Sequence, residues 1–510
     1  MNSSGARRSG LPLLDDGRLS GVLLHPTSLP APGGVGNIGA AAHRFIEWLA
    51  AAGQSFWQIL PLVDTDEGGS PYNGLSAVAG NTVLIDLQEL VIEGLLDPGE
   101  LEEDHPASDT VDYPAVMRQK GKLLGLAFRR LRSLPWHRLH LPLREYRARQ
   151  AHWIEDYALF RSLRDRDGAP WTGWRPELRG RQADALRAAR EELEEEIARC
   201  VFQQFLFDRQ WAAVRTHAHE NGIAIIGDIP IFVAHDSADV WAHQDLFRLD
   251  SDGHPTVVSG VPPDYFSKTG QRWGNPLFNW DVMRGSGYAW WIERFRRTLE
   301  WVDVVRIDHF RGFQAYWEIP AEEETAVHGA WKEGPGAEFF RAMQQRLGAV
   351  PVIAEDLGLI TPEVDALRTE LGYPGMRVVQ FAFDGDPRNP HLPENYPEHT
   401  VAYTGTHDND TIVGWWSTAS PAEREVARQR WRSSELPVHE AFIDLVFRSP
   451  ARIAIVPLQD VLGLGSEARM NTPGTSENNW TWRLREGQPG PEDAERLRRL
   501  TCDAGRCRDR

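Results

Sequence analysis

Acidic side chains follow several short apolar runs of the sequence, at the points where strands would end. Asp228, Asp308, Glu355 and Asp408 each stand at such a point. If these ends meet at one rim, mutual repulsion, burial and the nearby Arg306 will push the pKa values of the acids apart. Such an array can bind a divalent metal, abstract a proton beside a carbonyl with metal assistance, or cleave a glycosidic bond with a carboxylate pair.

The charge pattern favours the carboxylate pair over the metal site. A metal ion needs hard oxygen ligands whose negative charge it can neutralise. Arg306 is two residues from Asp308, on the same side of a strand, and supplies that positive charge itself. Retaining glycosidases need a nucleophile and an acid about 5 to 5.5 Å apart. Neighbouring strands would bring Asp308 and Glu355 near that separation. We therefore expect no metal and no cofactor, although a metal-assisted reaction stays open on the residues alone.

The overall charge and composition exclude several other classes of protein. The chain has 510 residues and a formal net charge of −18, which argues against a nucleic-acid partner. No stretch approaches the roughly 18 apolar residues of a membrane span, and the first residues lack the apolar core of a secretory signal. Three cysteines are too few to staple a fold of this size. We expect a cytoplasmic protein that binds no membrane, with the charged segment 492–510 at its periphery.

Eight apolar runs, rich in Val, Ile and Leu, must position the acids. Strands that are buried on both faces have this continuous apolar pattern. Amphipathic stretches such as 291–301 and 362–371 are long enough for crossover helices. Eight such units predict an α/β fold, the (β/α)8 or TIM barrel, with its active site at the carboxyl ends of the strands. The runs are 21–25, 55–62, 223–232, 302–310, 350–357, 376–383, 400–406 and 451–458.

Large insertions must interrupt the barrel, because this fold needs only about 250 residues. We expect a single catalytic domain over 1–510. Within 88–215, apolar residues recur at steps of seven and four from Leu186 to Phe205, which predicts an amphipathic helix and a mainly helical subdomain. Residues 233–290 are crowded with Gly, Pro, Asn and aromatics, and we expect an active-site loop there.

Short sequence motifs spread over essentially the whole chain occur in the same order as in a known family. One of them is Arg306-Ile-Asp-His-Phe-Arg311. The chain closely resembles the amylomaltases, the 4-α-glucanotransferases or disproportionating enzymes of glycoside hydrolase family 77. The similarity covers residues 25–30, 36–39, 57–62, 70–72, 227–232, 260–281, 306–311, 353–358, 375–381, 403–409 and 469–474.

The resemblance implies a reaction and three catalytic residues. A segment of a 1,4-α-glucan would pass to the 4-hydroxyl of an acceptor with retention and without a cofactor. Its partners would be maltooligosaccharides and glucans derived from starch or glycogen. Asp308 would be the nucleophile, Glu355 the acid and then the base, and Asp408 would stabilise the transition state.

The resemblance also implies a set of substrate contacts. Tyr72 would stack on the reacting sugar, and Arg306 would orient the nucleophile. Tyr265 and Phe266 would form an aromatic flap that keeps water from the intermediate. The implied binding residues are Tyr72, Asp228, Tyr265, Phe266, Gln271, Trp273, Arg306, His309, Phe381, His407 and Asn471.

Three alternatives use the same barrel. A retaining α-glucan hydrolase would have identical residues but water as its acceptor. An inactive barrel would serve as a glucan-binding scaffold, and a metal-dependent lyase would fail on chelation. The sequence makes no prediction about the oligomeric state.

Overall fold

The computed structural model describes residues 17–101, 108–263, 267–475 and 477–507. Tyr265 and Phe266 of the expected flap lie outside the described residues. Within the described part the chain forms twelve strands. They are β1 Leu19–Leu23, β2 Phe56–Gln58, β3 Ala224–Pro230, β4 Val257–Val261, β5 Gln271–Pro276, β6 Val304–Asp308, β7 Ala315–Pro320, β8 Ala330–Glu333, β9 Val352–Ala354, β10 Gly375–Val378, β11 Thr400–Tyr403 and β12 Ile453–Pro457.

Eight of these strands form one parallel sheet that curls into a nearly closed barrel. Its order is β10-β11-β12-β1-β2-β3-β6-β9, and each strand matches one of the eight predicted runs. The remaining seam is bridged where the Ala354 N–H donates to the Pro374 carbonyl at 2.9 Å. Side chains of alternate residues, such as Phe56, Ile226 and Val304, fill the interior, while the others pack outward against helices. The predicted (β/α)8 barrel is confirmed.

Helices surround the barrel and fill the segments between its strands. Those described are α1 Ala40–Ala51, α2 Gln88–Ile92, α3 Tyr113–Ser133, α4 His140–Arg149, α5 Ala151–Asp167, α6 Pro176–Arg179, α7 Ala183–Glu192, α8 Glu194–Glu220, α9 Ala238–Ala242, α10 Trp280–Gly285, α11 Ala289–Trp301, α12 Gly336–Leu347, α13 Pro362–Leu371, α14 Ile412–Thr418, α15 Pro421–Arg428, α16 Val438–Arg448, α17 Leu458–Val461 and α18 Pro491–Asp503. Short 3-10 turns include Pro26–Ser28 and Phe310–Phe313.

The amphipathic segment from Leu186 to Phe205 forms two helices rather than the predicted one. α7 ends at Glu192, Leu193 departs from helical geometry at φ −105° and ψ 23°, and α8 begins at Glu194. The first turn of α8 carries three successive glutamates, which stabilise the positive end of a new helix dipole. The apolar spacing continues across the break, so that periodicity alone did not reveal it.

A second sheet of four antiparallel strands, in the order β5-β4-β7-β8, stands beside the barrel. β4 and β5 belong to the segment 233–290, whereas β7 and β8 follow β6 directly. Val258 and Ile319 bury their side chains in its small core. This sheet is therefore attached to the strand that ends in Asp308.

The segment after α18 returns to the start of the barrel. Arg506 is fully buried, and its guanidinium donates to the carbonyls of Leu19 at 2.9 Å and Ala451 at 2.7 Å. The expected peripheral position of the charged segment is wrong for this residue, because barrel carbonyls at the strand starts need donors. Cys502 and Cys507 form a disulfide beside it. In the described ranges, no helix has the length and apolar composition to cross a bilayer.

Candidate active site

The carboxyl ends of four barrel strands bring the predicted acids together. Asp228 lies within β3 and Asp308 ends β6, while Glu355 immediately follows β9 and Asp408 follows β11. Parallel strands place these ends at one rim. The side chains described below therefore meet although they are far apart in the sequence.

Arg306 connects two of the acids. Its guanidinium donates to Asp228 Oδ2 at 2.5 Å and to Asp308 Oδ1 at 2.9 Å. Strand register explains the bridge, because Asp228 and Arg306 are paired across β3 and β6, and Asp308 is two residues further on the same face. The side chains of Arg306 and Asp228 are buried, whereas that of Asp308 is 29% exposed. Asp308 is thus the member of the bridge that a ligand can reach.

Tyr72, in the loop after β2, forms one wall of the site. Its hydroxyl donates to Asp228 Oδ2 at 2.6 Å, and its ring stacks on His407 with centroids 4.9 Å apart. Trp480 packs against both rings, at 5.6 Å from Tyr72 and 5.8 Å from His407. The sequence analysis did not predict Trp480 as a site residue, because it lies outside the family motifs. Its position a few residues after the motif 469–474 was the one indication that it could lie near the site.

Main-chain donors hold the carboxyl group of Glu355. The N–H of His309 donates to Oε2 at 2.7 Å, and the N–H of Leu357 donates to Oε1 at 2.8 Å. His309 adopts the left-handed conformation, with φ 53° and ψ 49°, which is rare for a residue with a side chain. This turn directs the N–H that follows Asp308 toward the neighbouring strand end.

Asp408 is held by a network of its own. Asn471 Nδ2 donates to Asp408 Oδ1 at 2.6 Å, and His407 Nε2 lies 3.3 Å from the same oxygen. Arg469 donates to the carbonyls of Asp408 and Asn471 at 2.6 and 2.7 Å, which ties the two segments together. Arg469 belongs to a quoted motif, but its structural role was not predicted.

The acids differ in pKa because their surroundings differ. Burial raises the pKa of Asp308 to about 6, with Arg306 opposing the rise. Burial, reinforced by the charge of Asp308, raises the pKa of Glu355 to about 7. Burial also acts against the charge of Asp408, but His407 and Asn471 outweigh it and hold its pKa at about 2. At neutral pH the site therefore contains two ionised acids and one that retains a proton more readily.

The remaining predicted contacts lie along the rim and the second sheet. Gln271 and Trp273 stand on β5, where the indole N–H donates to the Gln271 amide oxygen at 3.1 Å. The Trp273 ring meets the His309 ring edge-on at 4.8 Å. Phe381 follows β10, is 38% exposed, and meets His391 edge-on at 5.4 Å. The structure thus brings Trp273 to the acids through His309, and it places Phe381, partly exposed, just after the end of β10.

The ligand chemistry of the site follows from these donors. The described residues contain no group of three or more His, Cys, Asp and Glu side chains spaced to hold a metal ion. An ionised carboxylate paired with Arg306, a second carboxyl with a raised pKa and a stacked Tyr72 can instead attack, protonate and hold a sugar.

Comparison with known proteins agrees with this chemistry. The family model described as 4-alpha-glucanotransferase matches residues 24–488. A 4-alpha-glucanotransferase of Thermus thermophilus is 50% identical over 492 residues, covering 95% of this chain and 98% of the relative. One from Synechocystis is 47% identical and covers 93% of this chain and 95% of the relative.

A solved structure gives the same result. The amylomaltase of Streptococcus agalactiae, in complex with acarbose, superposes with a TM-score of 0.93 and 36% identity. The match covers 96% of this chain and 100% of that protein. The chain belongs to glycoside hydrolase family 77, the family of the 4-alpha-glucanotransferases.

Proposed function

We propose that this 4-α-glucanotransferase moves segments of 1,4-α-glucans between sugar chains by a retaining double displacement. The observation that carries the mechanism is the Arg306–Asp308 ion pair beside a Glu355 carboxyl of higher pKa. A double displacement needs these two protonation states at the same time.

In the first step, an Asp308 carboxylate oxygen attacks C1 of the reacting glucose. The bond between C1 and the glycosidic oxygen breaks, and Glu355 gives its proton to that oxygen as the leaving chain departs. Arg306 keeps Asp308 charged and directs Oδ1, the oxygen to which it donates. The product is a β-glucosyl ester on Asp308 and an ionised Glu355.

In the second step, the 4-hydroxyl of an acceptor sugar replaces the leaving chain. Glu355 takes the hydroxyl proton while the oxygen attacks C1, and the ester bond to Asp308 breaks. The anomeric configuration is inverted twice and so retained. Both carboxyl groups return to their starting states, and no cofactor is consumed.

The groups around the acids suit a bound glucose. The Tyr72 ring offers an apolar face for the sugar, and Asp408 and His407 offer acceptors and donors for its hydroxyls. The low pKa of Asp408 keeps a full negative charge close to where positive charge develops on the ring. Asn471, Gln271, Trp273 and Phe381 are proposed to contact the neighbouring sugars.

Transfer must compete with hydrolysis by water at about 55 M. A bound acceptor can win, because effective molarities of oriented groups reach about 10⁵ M or more. The aromatic flap of Tyr265 and Phe266, which the family resemblance implies, stays a prediction. The proposed substrates are maltooligosaccharides and glucans from starch or glycogen, and the proposed compartment is the cytoplasm.

Incubation with maltotriose tests the proposal. A ladder of longer products together with glucose is expected from transfer, whereas maltose and glucose alone would indicate hydrolysis. A slow fluorinated donor, quenched rapidly, should leave its label on the peptide that contains residue 308. Asp308→Asn is the matched control, since it keeps the shape of the side chain but removes the nucleophile. Label on the Asp308→Asn protein at this peptide would contradict the assignment.

A further inference from the structure

An exposed tryptophan stands on the edge of the second sheet, close to the loop of the acid. Trp331 lies in β8, the edge strand, where all four residues are exposed. Its side chain is 37% exposed, although edge strands usually present charged residues to solvent. Such a ring leaves part of its apolar surface available to a ligand.

The ring of Trp331 is held in place on two sides. The Arg311 guanidinium lies 3.9 Å from its centroid, and Trp317, its partner across β7 and β8, packs against it at 5.3 Å and 66°. Trp317 is itself fixed, because its indole N–H donates to the Ala326 carbonyl at 3.0 Å. The exposed face of Trp331 is therefore preorganised, and a ligand would lose little entropy in ordering it.

Arg311 connects this ring to both catalytic loops. It follows Asp308 by three residues and donates to the carbonyl of Leu359, in the loop that begins with Glu355. These two contacts hold its buried side chain. Leu359 is 64% exposed. Trp331 and Leu359 are thus two exposed apolar residues that Arg311 connects, and we call this pair the ledge.

The position of the ledge indicates which sugars reach it. Glu355 would touch the oxygen between the reacting glucose and the leaving chain, so its loop borders the leaving and acceptor side. Tyr72, Asp228 and His407 enclose the other side. Planar aromatic faces pack against the C–H faces of pyranose rings.

We propose that Trp331 and Leu359 form an additional acceptor subsite, which binds a glucose unit beyond the one that reacts. This inference rests on the proposed transfer reaction. The subsite favours longer acceptors, because glucose itself is too short to occupy both the reacting position and the ledge.

Acceptor length provides the test. With α-maltosyl fluoride as donor, kcat/KM is measured for glucose, maltose and maltotetraose as acceptors. We expect Trp331→Ala to lower the ratio of maltotetraose to glucose about tenfold, the effect of losing one well-packed ring contact. Val327→Ala is the control, since Val327 lies between β7 and β8 of the same sheet and is itself 45% exposed. The ratio for this variant should equal that of the wild type.

Two outcomes would overturn the subsite. An unchanged ratio would show that Trp331 binds no sugar, and an equal loss for all acceptors would show that it acts only through Arg311 on the acid. If Trp331→Ala does not fold, Trp331→Phe keeps a ring against Arg311 and should lower the ratio about threefold; no change would again be decisive. Failure of transfer itself is distinguishable, because the wild-type enzyme would then form no longer products with any acceptor.

Discussion

The backbone N–H of His309 donates to Glu355 Oε2 at 2.7 Å, so that the residue after the nucleophile also holds the acid. This contact depends on the left-handed turn of His309. Because Asp308 and His309 are consecutive, any shift of the end of β6 moves the nucleophile together with the N–H group that holds Glu355. The separation of the two carboxyl groups is thereby set by main-chain geometry.

Two substitutions of His309 test this coupling. Both His309→Gly and His309→Val remove the imidazole, but only glycine adopts φ 53° without strain, and a left-handed turn costs other residues about 1 to 2 kcal/mol. We expect kcat/KM on maltotriose to be about tenfold higher for His309→Gly than for His309→Val. Equal kinetics, with melting temperatures recorded for both, would mean that the turn does not position Glu355.

Glu355→Gln separates proton donation from nucleophilic attack. Gln keeps the size of the side chain but gives no proton, so kcat/KM on maltotriose should fall by about 10³-fold. Fluoride leaves without a proton, and α-maltosyl fluoride should still glycosylate Asp308. Asp308→Asn is the control that should lose activity on both donors. Equal losses of Glu355→Gln on the two donors would contradict its role as the acid.

The pH profile reports the two coupled acids. Activity should fall as the pH drops through about 6, because Asp308 becomes protonated, and as it rises through about 7, because Glu355 loses its proton. Arg306→Lys reaches one carboxylate rather than two and lowers the pKa of Asp308 less. The pH below which the activity of the Arg306→Lys variant falls should therefore be higher than that of the wild type. An unchanged pH in the kcat/KM profile would show that Arg306 does not set this ionisation.

Stability should also depend on the proton of Glu355. Its pKa in the folded state lies above the ordinary 4.5, at about 7. The stabilisation from the buried neutral form is therefore full below about pH 4.5 and is lost as the pH rises through 7. The Gln side chain of Glu355→Gln stays neutral at every pH. The melting temperature of this variant should therefore rise relative to that of the wild type as the pH increases from 5 to 8. A constant difference would contradict the raised pKa.

Tyr72 contributes to the site through its hydroxyl group and through its ring, and two substitutions separate these contributions. Tyr72→Phe removes the 2.6 Å hydrogen bond to Asp228 and keeps the stack on His407. The Oδ1 atom of Asp228 is already buried and has no hydrogen-bond partner among the described residues. Loss of one hydrogen bond to a charged group costs about 1.5 to 3 kcal/mol, which is about 10- to 100-fold in kcat/KM. Tyr72→Ala removes the stack as well and should lose more. Equal values for the two variants would show that the ring contributes nothing.

The barrel and its rim were predictable, and the reasons are physical. Strands buried on both faces leave uninterrupted apolar runs, and their carboxyl ends fix where Asp308 and Glu355 lie. The second sheet was not predicted, because a strand such as Gln271–Pro276 is polar and half-exposed, and its neighbour β4 pairs on the other side with β7, which lies far along the chain. Residue type gives no sign of such pairing.

Several features of the site could not be predicted from the sequence for a different reason. The donors to Glu355 are backbone N–H groups of His309 and Leu357, which every residue but proline possesses. The left-handed conformation of His309 is imposed by its surroundings rather than by its type. Trp480 reaches Tyr72 only through the folded chain.

The buried Arg506 sets the order in which this protein can mature on the ribosome. Its guanidinium binds the carbonyl of Leu19, 487 positions earlier, in a strand that also pairs with β12. Early parts of a chain emerge first and tend to fold as they appear. Here the first strand waits, paired on one side only, until β12 and Arg506 have been synthesised. Until then the growing barrel keeps one unpaired strand edge, and exposed edges of this kind favour aggregation.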